Sequence, residues 1–235
     1  MPPLRDLAGA ATDLILGGRC VGCSRPGPAL CLACAAPLEQ VPSVAWPIPR
    51  PPGLPTPYAV AAYDGAAKAA VVAHKEHAVL SLARPLGRAL ALSVMATVAA
   101  GAAGAGNRPV VLAWPPTAAA AVRERGHDPL QRIVAACRRS LRAAGVLAVA
   151  PAVLERAREV EDQAGLSAPA RAANLAGAFT VRSRSRPALA GRRIVVVDDV
   201  LTTGATAAEA ARALAEAGAD ACAVAVVAAT RRRLD

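Results

Sequence analysis

The stretch Ile194-Val195-Val196-Val197-Asp198-Asp199-Val200-Leu201-Thr202-Thr203-Gly204-Ala205-Thr206 decides how the rest of the chain is read. Four β-branched residues predict a short buried strand, two carboxylates stand at its C-terminal end, and a Thr/Gly turn opens into an Ala-rich helix. In open α/β sheets ligands bind beyond the carboxyl ends of the strands, and the N–H groups of a helix N-terminus attract phosphate. Thr202, Thr203 and Thr206 add hydroxyl donors, and Gly204 permits close backbone approach or positive φ. Asp198 and Asp199 repel a phosphate, but they can accept hydrogen bonds from vicinal sugar hydroxyls or hold a metal. The ligand expected here is a ribose 5-phosphate; the competing reading is an ordinary buried strand with a Thr-rich turn.

Working outward, the helix 206–217 places Glu209, Arg212 and Glu216 on one face and Ala207, Ala210, Ala211 and Leu214 on the other, then stops at Gly218. Ala221 to Ala229 reads as a last buried strand, followed by the basic tail Arg231-Arg232-Arg233. Upstream, strands are expected at Tyr58–Tyr63, Pro109–Trp114 and Val146–Leu154, the last with Pro151 tolerable at a sheet edge. Residues 65–100 read as helices broken at Pro85, with His74 and His77 on the first: a metal pair in one reading, a solvated face in the other. Thr117 is a plausible cap for a helix ending at Gly126. Asp128 as N-cap and Pro129 as first helical residue open another, with Leu130, Ile133, Val134, Cys137 and Leu141 on its apolar face and Arg132, Arg138, Arg139 and Arg142 largely off it. Strands alternating with helices imply an α/β fold with a parallel sheet.

Near the N-terminus, Cys20-Val21-Gly22-Cys23 and Cys31-Leu32-Ala33-Cys34 form two CxxC pairs. Four thiolates at this spacing complete a closed tetrahedral zinc site, which is structural because catalytic zinc needs an open position; disulfides are the alternative, disfavoured in a reducing compartment. A short amphipathic helix over 3–16 precedes them. Pro37, Pro42, Pro47, Pro49, Pro51, Pro52, Pro55 and Pro57 then mark a semi-rigid linker or an extended crossing segment. The expected organisation is a helix and zinc module over 1–40, a Pro-rich linker over 41–57 and the main domain over 58–235.

A chain of 235 residues can bury one full core plus a small appendage. Its 54% hydrophobic content is mostly Ala and Val with only 2% aromatics, so the core must pack through small and branched aliphatics. The net charge of +10 favours polyanionic partners, or reflects an Arg-rich bias with solvated charge. The first twenty residues contain Arg5, Asp6 and Asp13, and the longest uncharged run, Ala89 to Asn107, is mainly Ala and Gly. A soluble, cytoplasmic protein without a membrane span is therefore expected.

The segment 194–206 resembles the phosphoribosyl pyrophosphate (PRPP) motif of type I phosphoribosyltransferases. The combined pattern further resembles the ComF family, phosphoribosyltransferase-like proteins with an N-terminal four-cysteine zinc module, linked in several bacteria to DNA uptake during natural transformation. Four blocks carry that likeness: the CxxC pairs; Lys75 after a predicted helix; Arg123 to Gly126 after Trp114-Pro115-Pro116; and Arg156, Arg158, Gln163, Leu166, Ser167, Arg171, Asn174, Ala178 and Phe179 ahead of the motif. Two places depart from it: His127-Asp128-Pro129 where the family commonly has Phe-Asn-Gln, and Ala113-Trp114-Pro115 where it has Pro-Val-Pro.

The resemblance implies that Asp198 and Asp199 hold the ribose hydroxyls, and that Thr202, Thr203, Gly204, Ala205 and Thr206 hold the 5-phosphate. It also implies that Trp114 to Thr117 meets the pyrophosphate, and that Arg156, Arg158 and Lys75 neutralise it as it leaves. Mg²⁺ would be held chiefly by the pyrophosphate. Two functions fit: an enzyme transferring phosphoribose, or a non-catalytic accessory that binds single-stranded DNA or a helicase-like partner. Trp46, Tyr58, Tyr63, Trp114 and Phe179 are too scattered for a base-stacking platform.

Overall fold

The computed structural model describes residues 18–101, 109–158 and 168–230. The expected helix over 3–16, Gln163, Leu166, Ser167 and the tail at 231–233 lie outside these residues. In chain order the elements are α1 (Leu32–Ala35), a 3-10 turn (Ala36–Glu39), β1 (Ser43–Val44), β2 (Pro57–Ala62), α2 (Gly65–Glu76), a 3-10 turn (Leu80–Leu82), α3 (Ala83–Ala99), β3 (Val110–Ala113), α4 (Ala119–Arg125) and α5 (Pro129–Ala143). There follow β4 (Ala148–Val149), β5 (Leu154–Arg156), α6 (Ala168–Leu175), β6 (Phe179–Val181), a 3-10 turn (Ser183–Ser185), α7 (Arg186–Leu189), β7 (Ile194–Leu201), α8 (Ala205–Glu216) and β8 (Ala221–Ala229).

Six strands form one sheet in the order β1-β2-β8-β7-β3-β4, with β1 antiparallel to β2 and every other pairing parallel. β7 lies between β8 and β3, with Val196 opposite Val224 and Ala113. Its alternation explains the run of valines. Val195 and Val197 join the core under α2, α3 and α5 with Leu86, Leu90, Ile133 and Leu141, whereas Ile194 and Val196 face Ala210 and Leu214 of α8. A strand buried on both faces reads as a continuous hydrophobic run. Each fully buried Val or Leu contributes roughly 1.5–3 kcal/mol.

With so few aromatics, the layers approach closely instead. A Cβ on Gly87 of α3 would overlap Ala136 of α5 and lie 2.8 Å from the Cys137 nitrogen, so glycine lets these helices touch. Leu80–Ala99 is long and apolar enough to cross a membrane, yet half of its most apolar window is buried inside the protein, where Leu86, Ala89, Leu90 and Val94 pack as core.

Several local expectations differ from the structure. The helix break falls at 77–79, and Pro85 sits in the first turn of α3, where a missing N–H breaks no intrahelical bond. Val146–Leu154 divides around Pro151 into β4, at the sheet edge, and β5, which leaves the sheet to pair with β6 in a separate ribbon. Ala118, not Thr117, is the N-cap of α4, and it makes no side-chain bond. Asp128 does cap α5, its Oδ1 accepting from the Gln131 N–H at 3.0 Å. His74 is not on a solvated face, and both of its ring nitrogens are engaged: it is fully buried, its Nδ1 3.2 Å from the Val79 carbonyl and its Nε2 3.1 Å from that of Pro129. His77 is exposed.

Candidate ligand-binding cleft

β7 runs on through the two carboxylates to Leu201, because pairing with β8 continues from Asp198 opposite Val226 to Leu201 opposite Ala229. Asp198 and Asp199 are therefore held on rigid sheet at its C-terminal edge. The Asp199 N–H donates to Asp198 Oδ1 at 2.9 Å, and the Val200 N–H donates to Asp199 Oδ1 at 2.7 Å. Burial and the adjacent Asp199 charge push the Asp198 carboxyl well above its ordinary range.

The chain then turns over Thr202 and Thr203 to Gly204, which caps α8 at φ +77°. A Cβ at Gly204 would stand 3.0 Å from Leu54 Cδ2, 3.1 Å from Pro51 Cγ and 3.2 Å from Pro47 Cγ, so the Pro-rich segment is pressed directly against this turn. Thr203 Oγ1 accepts from the Ala205 N–H at 3.4 Å, while Arg171 Nη1 donates to Thr202 Oγ1 at 3.3 Å. The N–H groups of a helix's first turn have no intrahelical acceptors, which makes the start of α8 a seat for an anion.

A cleft of about 560 Å³ opens here, lined by Tyr63, Lys75 and Glu76 on one side, Pro115 to Ala118 and Arg125 on another, and Arg156, Arg171, Asp198, Asp199, Thr202 and Thr206. Lys75, the last-turn lysine of α2, lies 3.9 Å from Asp199 Oδ2. That carboxylate raises the Lys75 ammonium above its ordinary range against the effect of burial, and burial together with Asp199 raises the Tyr63 phenol. Arg156 extends from the ribbon and its Nε donates to the Pro116 carbonyl at 3.4 Å.

Of the expected site residues, the fold thus gathers Lys75, Arg156, Asp198, Asp199, Thr202 and Thr206 around one cleft. Gly204 and Ala205 form the buried turn beneath them. Thr203 lines a second cavity of about 460 Å³ on the other side of the turn, with Trp46, Pro47, Ile48, Thr202 and Thr230. Arg158 is not among the cleft-lining residues; its Nη2 donates to the carbonyls of Asn174 and Ala176, both at 2.7 Å, at the end of α6. Tyr63, Arg171 and the Glu76–Arg125 pair at 2.9 Å were not expected in the site. Arg171 and Arg125 had a sequence signal, the first in the ordered pattern before the motif and the second in the Arg123 to Gly126 block.

The sulfurs of Cys20, Cys23, Cys31 and Cys34 lie within 4.8 Å of one another, and Cys23 and Cys31 are 3.8 Å apart, close to the ligand separation around tetrahedral zinc. Burial raises the Cys20 thiol, but backbone N–H donors from Cys31, Gly22 and Cys23 outweigh it and bring it down to about 6. The hydrogen bond to Cys31, burial and the neighbouring thiols push Cys34 up to about 12. The cluster resists carrying several thiolates unless a cation joins it, and the donor set fits Zn²⁺. Cys137 is fully buried and Cys222 partly so, its Sγ donating to the Ile194 carbonyl, as expected of small core residues.

Residues 137–235 match the family described as the phosphoribosyl transferase domain. The matched span begins within α5 and holds the ribbon, β7, the Thr/Gly turn, α8 and β8, and thereby the Asp198–Thr206 side of the cleft. Lys75, Tyr63 and the Pro47–Leu54 segment precede the matched span. A comparison with curated proteins finds no match to the chain.

Proposed function

We propose that the cleft binds magnesium-complexed PRPP and that the protein transfers or senses phosphoribose as a ComF-like member of the type I phosphoribosyltransferases. The observation that carries this is the convergence of a strand-end carboxylate pair and a Gly204 turn opening a helix N-terminus on one cleft, within a domain matched by the phosphoribosyl transferase family. Asp198 and Asp199 accept hydrogen bonds from the ribose hydroxyls. The backbone N–H groups and hydroxyls of Thr202, Thr203, Gly204, Ala205 and Thr206 donate to the 5-phosphate. Lys75 and Arg156 face the pyrophosphate, so charge accumulating on it during departure is met by preorganised cations. Arg158 acts one step removed, holding the end of α6 beside the ribbon. Mg²⁺ suits this donor set, since it keeps waters and takes one or two carboxylates plus substrate phosphates; it supplies neutralisation of the leaving group. Zn²⁺ on the four cysteines is structural, within a module over 1–40 joined by 41–57 to the main domain over 58–235, and the protein works in the cytoplasm.

Calorimetric titration with magnesium and PRPP tests the reading. Wild type should bind, and an Asp198→Asn/Asp199→Asn variant should not; equal heats from both, or none from wild type, would overturn it.

One observation favours the accessory reading beside it. Among the described residues, a groove of about 770 Å³ between the cysteine module and α3/α5 is lined by Arg84, Arg88, Arg132 and Arg139 against Glu39 alone among acids. None of the described residues lining it is aromatic, so contacts to single-stranded DNA would be to phosphates and would weaken steeply with salt. Absence of DNA affinity even at low ionic strength would remove this reading.

A further inference from the structure

The ribbon of β5 and β6 carries Arg156 but shares no pairing with the main sheet. Leu154, Phe179 and Val181 bury it in the core beside α8. Apolar packing is non-directional, however, and sets depth better than register. Within the ribbon, Arg156 stands opposite Phe179. The neighbouring pair is the bonded one, since the Ala157 N–H donates to the Ala178 carbonyl at 2.9 Å. Alternation of an antiparallel ladder then turns the Phe179 N–H and C=O away from β5. Left unmet in a buried place, each would cost roughly 1–3 kcal/mol.

α8 meets both. Glu209 Oε1 accepts from the Phe179 N–H at 3.0 Å, and Arg212 Nη2 donates to the Phe179 carbonyl at 3.0 Å. The two side chains are locked to each other by Arg212 Nε to Glu209 Oε2 at 2.7 Å and Nη2 to Oε1 at 2.8 Å, and Arg212 Nη1 also pairs with Glu216. The Glu209 side chain is only 5% exposed. A buried ion pair is weak evidence for stability, because apolar residues of similar volume often serve as well. Apolar replacements could not grip a backbone N–H and C=O together. The pair therefore acts on geometry.

We propose that Glu209 and Arg212 are positioning residues for the pyrophosphate end of the cleft: by gripping both backbone polar groups of Phe179 they fix the ribbon, and through it Arg156, relative to the helix whose N-terminus holds the phosphate turn. The proposal rests on the reading of Arg156 given above. One helix thus sets the distance between the two ends of the ligand. A planar guanidinium fork is required, since a lysine cannot reach Glu209 and the carbonyl in the same geometry.

The test compares magnesium PRPP with ribose 5-phosphate, which lacks the pyrophosphate, on wild type, Arg212→Lys, Glu209→Gln, Arg156→Ala and Arg156→Ala/Arg212→Lys, together with amide exchange at Phe179. Arg212→Lys should weaken PRPP on the order of ten-fold, about 1.4 kcal/mol, and leave ribose 5-phosphate unchanged. In the Arg156→Ala background it should add nothing, the mark of two residues acting as one unit. Glu209→Gln, which keeps an acceptor for the Phe179 N–H, should lose less. Phe179 exchange should quicken in Arg212→Lys while β7 and β8 stay protected. Equal losses for both ligands, additive losses in the double variant, or unchanged Phe179 exchange would overturn the proposal. If wild type binds neither ligand, the phosphoribosyl reading falls and the role of Arg156 with it; the exchange arm then decides alone whether the pair holds the ribbon.

Discussion

The Lys75 ammonium lies 3.9 Å from the Asp199 carboxylate, tying the last turn of α2 to the C-terminal end of β7 across the cleft. The lysine side chain is 47% exposed and the carboxylate 13%, so the pair is largely solvated on one side. Such pairs contribute roughly 0–1 kcal/mol to stability. Its importance is electrostatic: Lys75 brings a positive charge to the carboxylate pair. Lys75→Ala should shift unfolding by less than about 1 kcal/mol and weaken magnesium PRPP about ten-fold. Parallel denaturation and calorimetry check both.

Two carboxylates should move stability in opposite directions with pH. Asp198 has a folded-state pKa above its unfolded value, because of burial and the Asp199 charge. The native state then binds more protons, and stability falls as pH rises from the ordinary carboxylate range through the raised value. Asp198→Asn should exceed wild type in stability at neutral pH and above, and converge with it in acid. Glu209 behaves oppositely. Burial raises it, but hydrogen bonds from Arg212 and Phe179 outweigh that and lower it overall. Its contribution is present above the ordinary carboxylate pKa and is lost as pH falls through the lowered one. Urea titrations of wild type, Asp198→Asn and Glu209→Gln from acid to pH 9 separate the two.

Gly204→Ala should be costly. Its φ of +77° disfavours any side chain, and a Cβ would press on Leu54, Pro51 and Pro47. Strain of this kind amounts to about 1–3 kcal/mol. The loss should appear in denaturation, and in weaker binding of ribose 5-phosphate if its phosphate is held by this turn as proposed.

Metal analysis should find about one Zn²⁺ per chain, lost in Cys23→Ser/Cys31→Ser. Gly22→Ala is a subtler probe, since its Cβ would lie 2.8 Å from Cys34 Sγ and 3.0 Å from Ala66 Cβ of α2. Substitution should reduce zinc retention against a competing chelator without touching a ligand. Full retention would show that the loop yields without disturbing the sulfurs.

Local features were legible because their causes are local. The valine run, the paired aspartates and the Thr/Gly turn each depend on neighbours in sequence, and β7, α8 and β8 appear within a residue or so of their expected limits, save that β7 extends through the carboxylates to Leu201. Asp128 and Pro129 open α5 for the same reason. What depended on distant partners was not legible from patterns. His74 looked like half of a surface pair because nothing near it announces the Pro129 carbonyl. The helix face of Glu209 and Arg212 was seen, but its purpose required Phe179, which lies on another element. The Pro-rich segment showed its stiffness, while its contact with Gly204 joins residues far apart in the chain. Lys75 was reached only through family likeness, and its distance from Asp199 emerges from packing of α2 over the sheet.

A crystal structure with magnesium and PRPP would place each part of the ligand against the cleft. It should show the 5-phosphate on the N–H groups of the 203–206 turn, the ribose hydroxyls on Asp198 and Asp199, and the pyrophosphate between Lys75 and Arg156. Ligand bound instead in the cavity beside Trp46, or a cleft left empty at saturating PRPP, would contradict the proposed function.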